Sequence, residues 1–414
     1  MKSMAVIGGG ITGVTTAYAL LRRGFRVTLF ERHRYAAMET SFANGGQLSA
    51  SNAETWNSWG TVLKGLKWML KKDAPLLLNP KPSWHKLSWM GEFLRAIPAY
   101  ERNTVETTRL AIAAREHLFA WAEAEGIDFD LKKKGILHIY RHKSGFEHAA
   151  RVSGMLARGG LARRAVTPEE IRTIEPTLAG TYYGGYFTES DSTGDIHKFT
   201  HGLSEAVQRL GGQCRYETEI VSVSVSADGQ RAQIVSRHDG QTHTEAFDGV
   251  VVCAGVGSRA LATSFGDRLN IYPVKGYSIT VNLRDEQSRR SAPEVSLLDD
   301  ETKLVSSRLG EDRFRVAGTA ELNGINRDIR ADRIKPLVDW VASCFPGVNT
   351  RSVVPWAGLR PMMPDLMPRV MRGKAPCVFY NTGHGHLGWT LSAATAEMVA
   401  GIVGEALGGE PPAA

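Results

Sequence analysis

Two stretches at opposite ends of the chain carry residue types in spacings that could do chemistry. Near the N-terminus, Gly8, Gly10 and Gly13 fall in the spacing Gly-x-Gly-x-x-Gly. Near the C-terminus, residues 381–390 read NTGHGHLGWT, two histidines set between glycines with no acidic residue. His384 and His386 leave three chemistries open: metal ligands, a general base, or spacers in a segment whose backbone is the working part. A metal site needs a third ligand; none is evident, so no metal is expected. The choice between the other two depends on what the N-terminal glycines bind.

Those glycines sit in a β-α-β unit over residues 4–31. Met4 to Ile7 is a short apolar strand, and Val14, Ala17, Tyr18, Leu20 and Leu21 recur at helical spacing. Gly24 ends the helix, and a second strand runs to Glu31. In that setting the glycines form a dinucleotide-binding turn. Gly8 permits the tight turn, Gly10 lets backbone approach a pyrophosphate, and Gly13 lets helix and strand pack closely. The helix N-terminus, opening with Ile11 and Thr12, supplies amide donors and a favourable dipole. Glu31 is placed to accept hydrogen bonds from ribose hydroxyls and would repel the 2′-phosphate of NADP; the neighbouring Arg32 is counted with the site. The turn alone does not separate FAD from NAD.

A plain NAD domain would continue with another strand–helix repeat. Residues 39–49 read ETSFANGGQLS instead. Thr40, Ser41, Asn44 and Gln47 offer short hydrogen-bonding groups, Gly45 and Gly46 allow close backbone approach, and Leu48 follows. This suits a long cofactor crossing the domain. Residues 248–257, DGVVVCAGVG, read as a buried strand and a small-residue turn that returns to the cofactor at Ala254 and Gly255. A helix is expected from Ile196 to Leu210, strand over 214–225, helices and a strand ending at Tyr140 within 83–140, and a strand-rich region over 266–350. The fold class is therefore α/β: a FAD domain of the two-dinucleotide-binding type over 1–57, 170–265 and 350–414, with a discontinuous α+β substrate domain containing a mixed sheet over 58–169 and 266–349.

The bulk properties fit this reading. The chain has 414 residues, 43% apolar and 22% charged, as in a folded globular protein of about two domains. No apolar run is long enough to span a bilayer, and the N-terminus runs straight into the strand–turn–helix pattern, unlike a signal peptide. Four scattered cysteines form no Cys-x-x-Cys pair, so a reducing cytoplasm is expected. The net charge of +7 is spread along the chain; with no basic cluster interleaved with aromatics, no nucleic-acid partner is expected.

Four stretches, SFANGGQ at Ser41, YPVKGYSIT at Tyr272, GLRPMMPD at Gly358 and NTGHGHLGWT at Asn381, together with the N-terminal unit, resemble the bacterial FAD-dependent D-amino acid dehydrogenases, within the D-amino acid oxidase and glycine oxidase superfamily. Two stretches depart from that pattern: Leu366, Met367, Pro368 and Arg369 replace a usual Gly-x-Pro run, and SASNAETWNSW over 49–59 replaces a Pro- and Tyr-containing version. Both belong to the substrate side.

The resemblance implies FAD as cofactor and assigns the late segment. Gly383, His384, Gly385, His386, Leu387 and Gly388 would lay backbone against the flavin ring at a helix N-terminus, with glycines leaving room for the ring and amides stabilising negative charge on it. It implies oxidative deamination of a D-amino acid to a 2-keto acid and ammonia, the Cα hydrogen aimed at flavin N5. A secondary amino acid, such as a D-proline or an N-substituted glycine, is the alternative substrate; a nicotinamide-dependent reductase is the competing class. Arg360 matches the superfamily's carboxylate-binding arginine, whose fork suits two oxygens. Tyr277 is a candidate to line or close the substrate pocket, Lys275 a weaker one, and His386 a candidate beside the flavin. The electron acceptor would be a quinone, or oxygen. Residues 61–72, TVLKGLKWMLKK, read as a basic amphipathic helix with Trp84, Trp89 and Phe93 soon after; peripheral contact with the inner face of the cell membrane is expected from it.

Overall fold

The structure is a computed structural model that describes residues 1–68 and 75–408. Residues 69–72 of the amphipathic stretch and 409–414 of the tail lie outside the described residues.

A six-stranded sheet holds the N-terminal unit. Its order is Arg369–Arg372, Val378–Thr382, Gly249–Val252, Ser3–Ile7, Arg26–Phe30, Gln213–Arg215, parallel except for the antiparallel edge strand Arg369–Arg372. Strand side chains alternate between faces, and the sequence uses both. Met4 and Val6 pack under the helices Ile11–Leu21, Ile196–Arg209 and Gly388–Leu407. Ala5 and Ile7 face the opposite layer, a three-stranded antiparallel sheet whose Ile234 and Phe247 complete that core.

The second sheet is mixed and nine-stranded. Its main path runs Val353–Met362, Tyr272–Asn282, Arg313–Leu322, Leu304–Leu309, Ser296–Asp299, Ile136–Tyr140, Gly184–Thr188, Arg164–Val166, and Leu76–Leu78 pairs beside Arg313–Leu322. One face is covered by the helix Ala331–Cys344, through Leu337, Trp340 and Val341 against Ile279, Leu304 and Phe314. The other face turns toward the six-stranded sheet.

The sheets divide the chain differently from the boundaries expected at 170 and 350. Gly184–Thr188 and Val353–Met362 fall within the stretches assigned to the FAD domain, yet both pair into the nine-stranded sheet. A short apolar strand reads alike whichever sheet receives it; only its pairing partners decide.

Candidate active site

A cavity of about 890 Å³ runs between the two sheets, from Glu31 and Thr218 at one end, past Gly10 and Gln47, to Arg360, Trp56 and Tyr140. The N-terminal turn forms its first part. Gly8 has φ +111°, and a β-carbon there would stand 2.7 Å from the Cys253 carbonyl oxygen. A β-carbon on Gly13 would overlap the Gly8 carbonyl. At Gly10 it would meet only Ser41 Oγ, at 3.5 Å, and otherwise occupy the cavity. Gly10 thus leaves the space a pyrophosphate needs. Glu31 closes the turn, its Oε2 accepting from the Gly9 amide at 2.6 Å and Oε1 from the His33 amide at 2.9 Å.

Two helices begin on the cavity wall. Ile11–Leu21 starts from Gly10 and Gly388–Leu407 from Leu387; neither N-cap residue supplies a side-chain hydrogen bond and neither first turn holds an acid, although the Ile11 amide donates to Ser41 Oγ at 3.1 Å. A helix N-terminus carries amides that its own backbone cannot satisfy, and about half a positive charge. One anion-favouring end sits at the glycine turn and the other across the cavity, an arrangement that fits an elongated dinucleotide with phosphates at the first and a ring at the second.

The segment between them is tied to the nine-stranded sheet. Thr40 Oγ1 donates to the Leu359 carbonyl at 2.9 Å, and Gln47 Nε2 to the Leu297 carbonyl at 2.9 Å. Ser278 Oγ donates to the Ala43 carbonyl at 2.8 Å, and Ser307 Oγ to that of Gly45 at 2.7 Å. A β-carbon on Gly45 would come within 2.6 Å of Val305. Thr12, Arg32, Asn44, Ala254 and Gly255 also border the cavity. Gly13, Gly46 and Leu48 do not: Gly13 packs on the turn, Gly46 sits at φ +72° beside Leu309, and Leu48 is buried in the helical core while pairing with Ser192.

The late segment differs from expectation in how it uses its glycines. Gly383 and Gly385 have φ +78° and +60°, and β-carbons there would lie 2.6 Å from Met363 and from Met362. They shape a turn against the end of the strand Val353–Met362 rather than leave room for a ring. Gly388 alone of the three is open, its nearest neighbour His384 Cβ at 3.7 Å. The histidines make separate contacts. His384 Nε2 meets Thr395 Oγ1 at 2.9 Å; burial pushes its pKa down to about 3. His386 stacks on Trp56, ring centres 4.6 Å apart; burial, then the charge of Arg360, push its pKa down to about 3. Both are neutral imidazoles at neutral pH, and neither is tuned as a general base.

Arg360 lies opposite Val274 on the cavity face. Its Nη1 donates to the Thr319 carbonyl at 2.7 Å and its Nη2 to that of Gly318 at 3.5 Å. Among the described residues no carboxylate pairs with it. Burial pushes its pKa down to about 10, which leaves it charged at neutral pH. Thr319, which presents that carbonyl, has φ +59°, rare for a β-branched residue and a mark of a constrained site.

Tyr277 borders the cavity and Lys275 does not; strand parity turns the polar ends of both away from Arg360. Gly276 shares the face of Arg360, so its two neighbours point to the other side. The Tyr277 hydroxyl donates to Glu321 Oε2 at 2.8 Å, and Lys275 Nζ stands 3.4 Å from the same oxygen, both side chains buried. They anchor the turn after Arg313–Leu322, and their polar ends do not face Arg360.

Several wall residues escape a linear reading. His138, Leu298, Val305, Ala317, Ser278 and Trp356 form one cross-strand row on the cavity face. They come from positions far apart and share no motif. Ser51, Asn52 and Trp56 also reach the wall; the departure of residues 49–59 from the family pattern was their only signal.

Comparison with known proteins agrees with this geometry. The family described as FAD dependent oxidoreductase matches residues 3–402. The chain is 62% identical over 403 residues to D-amino acid dehydrogenase 3 of Mesorhizobium japonicum, covering 97% of each, and 39% identical to D-amino acid dehydrogenase of Paramagnetospirillum magneticum, covering 97% and 94%. Its fold matches glycine oxidase from Geobacillus kaustophilus with a TM-score of 0.77 at 20% identity, covering 98% and 95%, and L-proline dehydrogenase from P. horikoshii with 0.76 at 15% identity, covering 98% and 93%.

Proposed function

From the premise that the chain belongs to the DAO family of FAD-dependent oxidoreductases, we propose that it is a D-amino acid dehydrogenase, converting a D-amino acid to a 2-keto acid and ammonia. Its cofactor is FAD, which supplies the two-electron acceptor when bound along the cavity. The observation that carries the reading is Arg360: a half-buried cation without an acidic partner among the described residues, on the wall of the cavity where the two helices begin.

The protein's part is orientation and charge. Arg360 holds the substrate carboxylate through two parallel hydrogen bonds, which fixes Cα against rotation. Its own guanidinium is fixed by the carbonyls of Thr319 and Gly318. His386 stays uncharged beside it and, stacked on Trp56, walls the substrate. The substrate amine gives its proton to solvent, since neither buried histidine competes for it. The substrate then loses two electrons and a proton from Cα to become an iminium ion, and water splits the iminium to keto acid and ammonium.

The electrons pass to a quinone at a membrane surface. Among the described residues no helix is long and apolar enough to cross a membrane. The helix Trp59–Trp68 lies beside the cavity mouth, with Trp59 64% and Leu63 59% exposed. On Trp84–Arg95, Trp84, Leu87 and Leu94 share an exposed face at helical spacing, Trp84 being 83% exposed. Trp89 belongs to the buried side, donating to the Met362 carbonyl at 2.9 Å.

Anaerobic addition of D- and L-amino acids to the yellow protein, followed by a quinone or oxygen, tests the reading. D-amino acids should bleach the flavin and a quinone should restore the colour faster than oxygen. Bleaching by L-amino acids alone would overturn the stereochemistry, and rapid restoration by oxygen would make the enzyme an oxidase. Co-sedimentation with anionic vesicles, lost in a Trp84→Ser/Leu87→Ser variant, tests the membrane contact; wild type left in the supernatant at low salt would refute it.

A further inference from the structure

The cavity continues past Arg360 into an arm lined by Lys303, Asp300, Tyr140, His148 and Arg163. Arg163 stands out there. Its neighbour Arg164 turns to the surface and pairs with Glu170 at 2.9 Å. Arg163 instead stacks on the Tyr186 ring, 4.8 Å from its centre, and Nη2 donates to Tyr140 Oη at 3.1 Å. Its Nε is buried without a partner, and among the described residues no carboxylate pairs with the guanidinium. The acids of the arm are already engaged: Asp300 pairs with Lys303, and Glu54 accepts from Tyr100 at 2.5 Å with His148 at 3.4 Å. His138, beside Ser51 Oγ at 2.8 Å, is held neutral by burial and by the charge of Arg163. One cation in the arm is therefore left uncompensated, as Arg360 is at the reaction centre.

We propose that this arm is a side-chain subsite in which Arg163, set by Tyr140, binds a second carboxylate, so that the preferred substrates are acidic D-amino acids of the D-glutamate type. The proposal rests on the amino acid reading above for the role of Arg360. The spacing agrees. Arg360 reaches the strand Arg313–Leu322, and Tyr140 lies three strands away in the same sheet, about 14 Å at ~4.8 Å per strand. Of that span, two charge-assisted hydrogen bonds of ~2.8 Å leave about 8 Å for the ligand between the arginines, close to the length of a five-carbon dicarboxylate. An apolar side chain would leave the Arg163 guanidinium desolvated and unpaired, which costs binding.

The test uses FAD-loaded protein and two non-reacting acids, glutarate and butyrate, with flavin absorbance as the readout of binding. Glutarate should bind at least about tenfold more tightly than butyrate, the worth of one charge-assisted contact. Arg163→Met should abolish most of that ratio, Arg163→Lys should keep part of it, and Tyr140→Phe, which leaves the charge but not its anchor, should fall between. In turnover, the D-glutamate to D-leucine ratio of kcat/KM should fall at least about tenfold in Arg163→Met. Equal affinity of wild type for the two acids, or a ratio unchanged by Arg163→Met, would overturn the subsite. If glutarate selectivity holds while no D-amino acid bleaches the flavin, the subsite stands and the D-amino acid reading falls.

Discussion

The guanidinium of Arg360 lies against the α-carbon of Gly276, with Cζ and both Nη atoms in the space that a β-carbon there would fill. The two residues sit two pairs apart in the register of adjacent antiparallel strands, Gly276 facing Gly358 and Val274 facing Arg360. The missing side chain is what lets the arginine lie across its neighbouring strand to reach the Thr319 carbonyl.

Gly276→Ala should therefore act on substrate and not on cofactor. The added methyl displaces the guanidinium, and a misplacement of about 1 Å at a substrate-holding group costs roughly 100-fold. Steady-state kinetics should show a fall of that order in kcat/KM for D-amino acids, with the flavin content of the purified protein unchanged. An unchanged kcat/KM would mean that Arg360 has room to move.

Arg360→Leu removes the contact itself. Loss of a bidentate charge-assisted pair should cost about 2–4 kcal/mol, or roughly 30- to 1000-fold in kcat/KM. Amines without the carboxylate should not suffer the same loss. Carboxylate substrates turned over within about threefold of wild type would assign the anchor elsewhere.

The glycines of the N-terminal turn should separate by phenotype. Gly10→Val fills cavity space and should yield a folded, colourless protein. Gly13→Val meets the Gly8 carbonyl and should lower the melting temperature even of cofactor-free protein. Comparing flavin absorbance and melting for the pair distinguishes cofactor loss from misfolding; a yellow Gly10→Val protein would place the pyrophosphate away from this turn.

Stability should fall in acid partly through His384. Its pKa drops from 6.5 to about 3 on folding, because burial disfavours the charged form. Between those values the unfolded chain binds the extra proton, so the stabilisation is complete above pH ~6.5 and is lost as pH falls toward 3. At pH 5 the loss should be about 2 kcal/mol. His384→Gln, which can keep a hydrogen bond to Thr395, should flatten the melting temperature between pH 7.5 and 5; an equally steep profile would assign the acid sensitivity to other groups.

The dinucleotide turn is legible in the sequence because its requirements are local. Gly8, Gly10, Gly13 and Glu31 lie within one β-α-β unit, and each glycine answers a constraint set by backbone a few residues away or on the next strand. The helix after Gly388 and the strand before Ala254 are legible for the same reason. Arg360 could be marked only through likeness to a family, since a lone arginine carries no signature of what it faces. Tyr277 shows where a linear reading stops: Gly276 and Tyr277 both border the cavity and Lys275 does not, and which side chain shares the face of Arg360 depends on strand parity, set by pairing with Val353–Met362 and by the register shift opposite Arg313–Leu322. The wall from His138 to Trp356, and the arm that ends at Arg163, exist only once the nine-stranded sheet has formed. Local turns follow from nearby steric demands, whereas a cavity wall is built from residues whose sole relation is the cross-strand register that tertiary structure imposes.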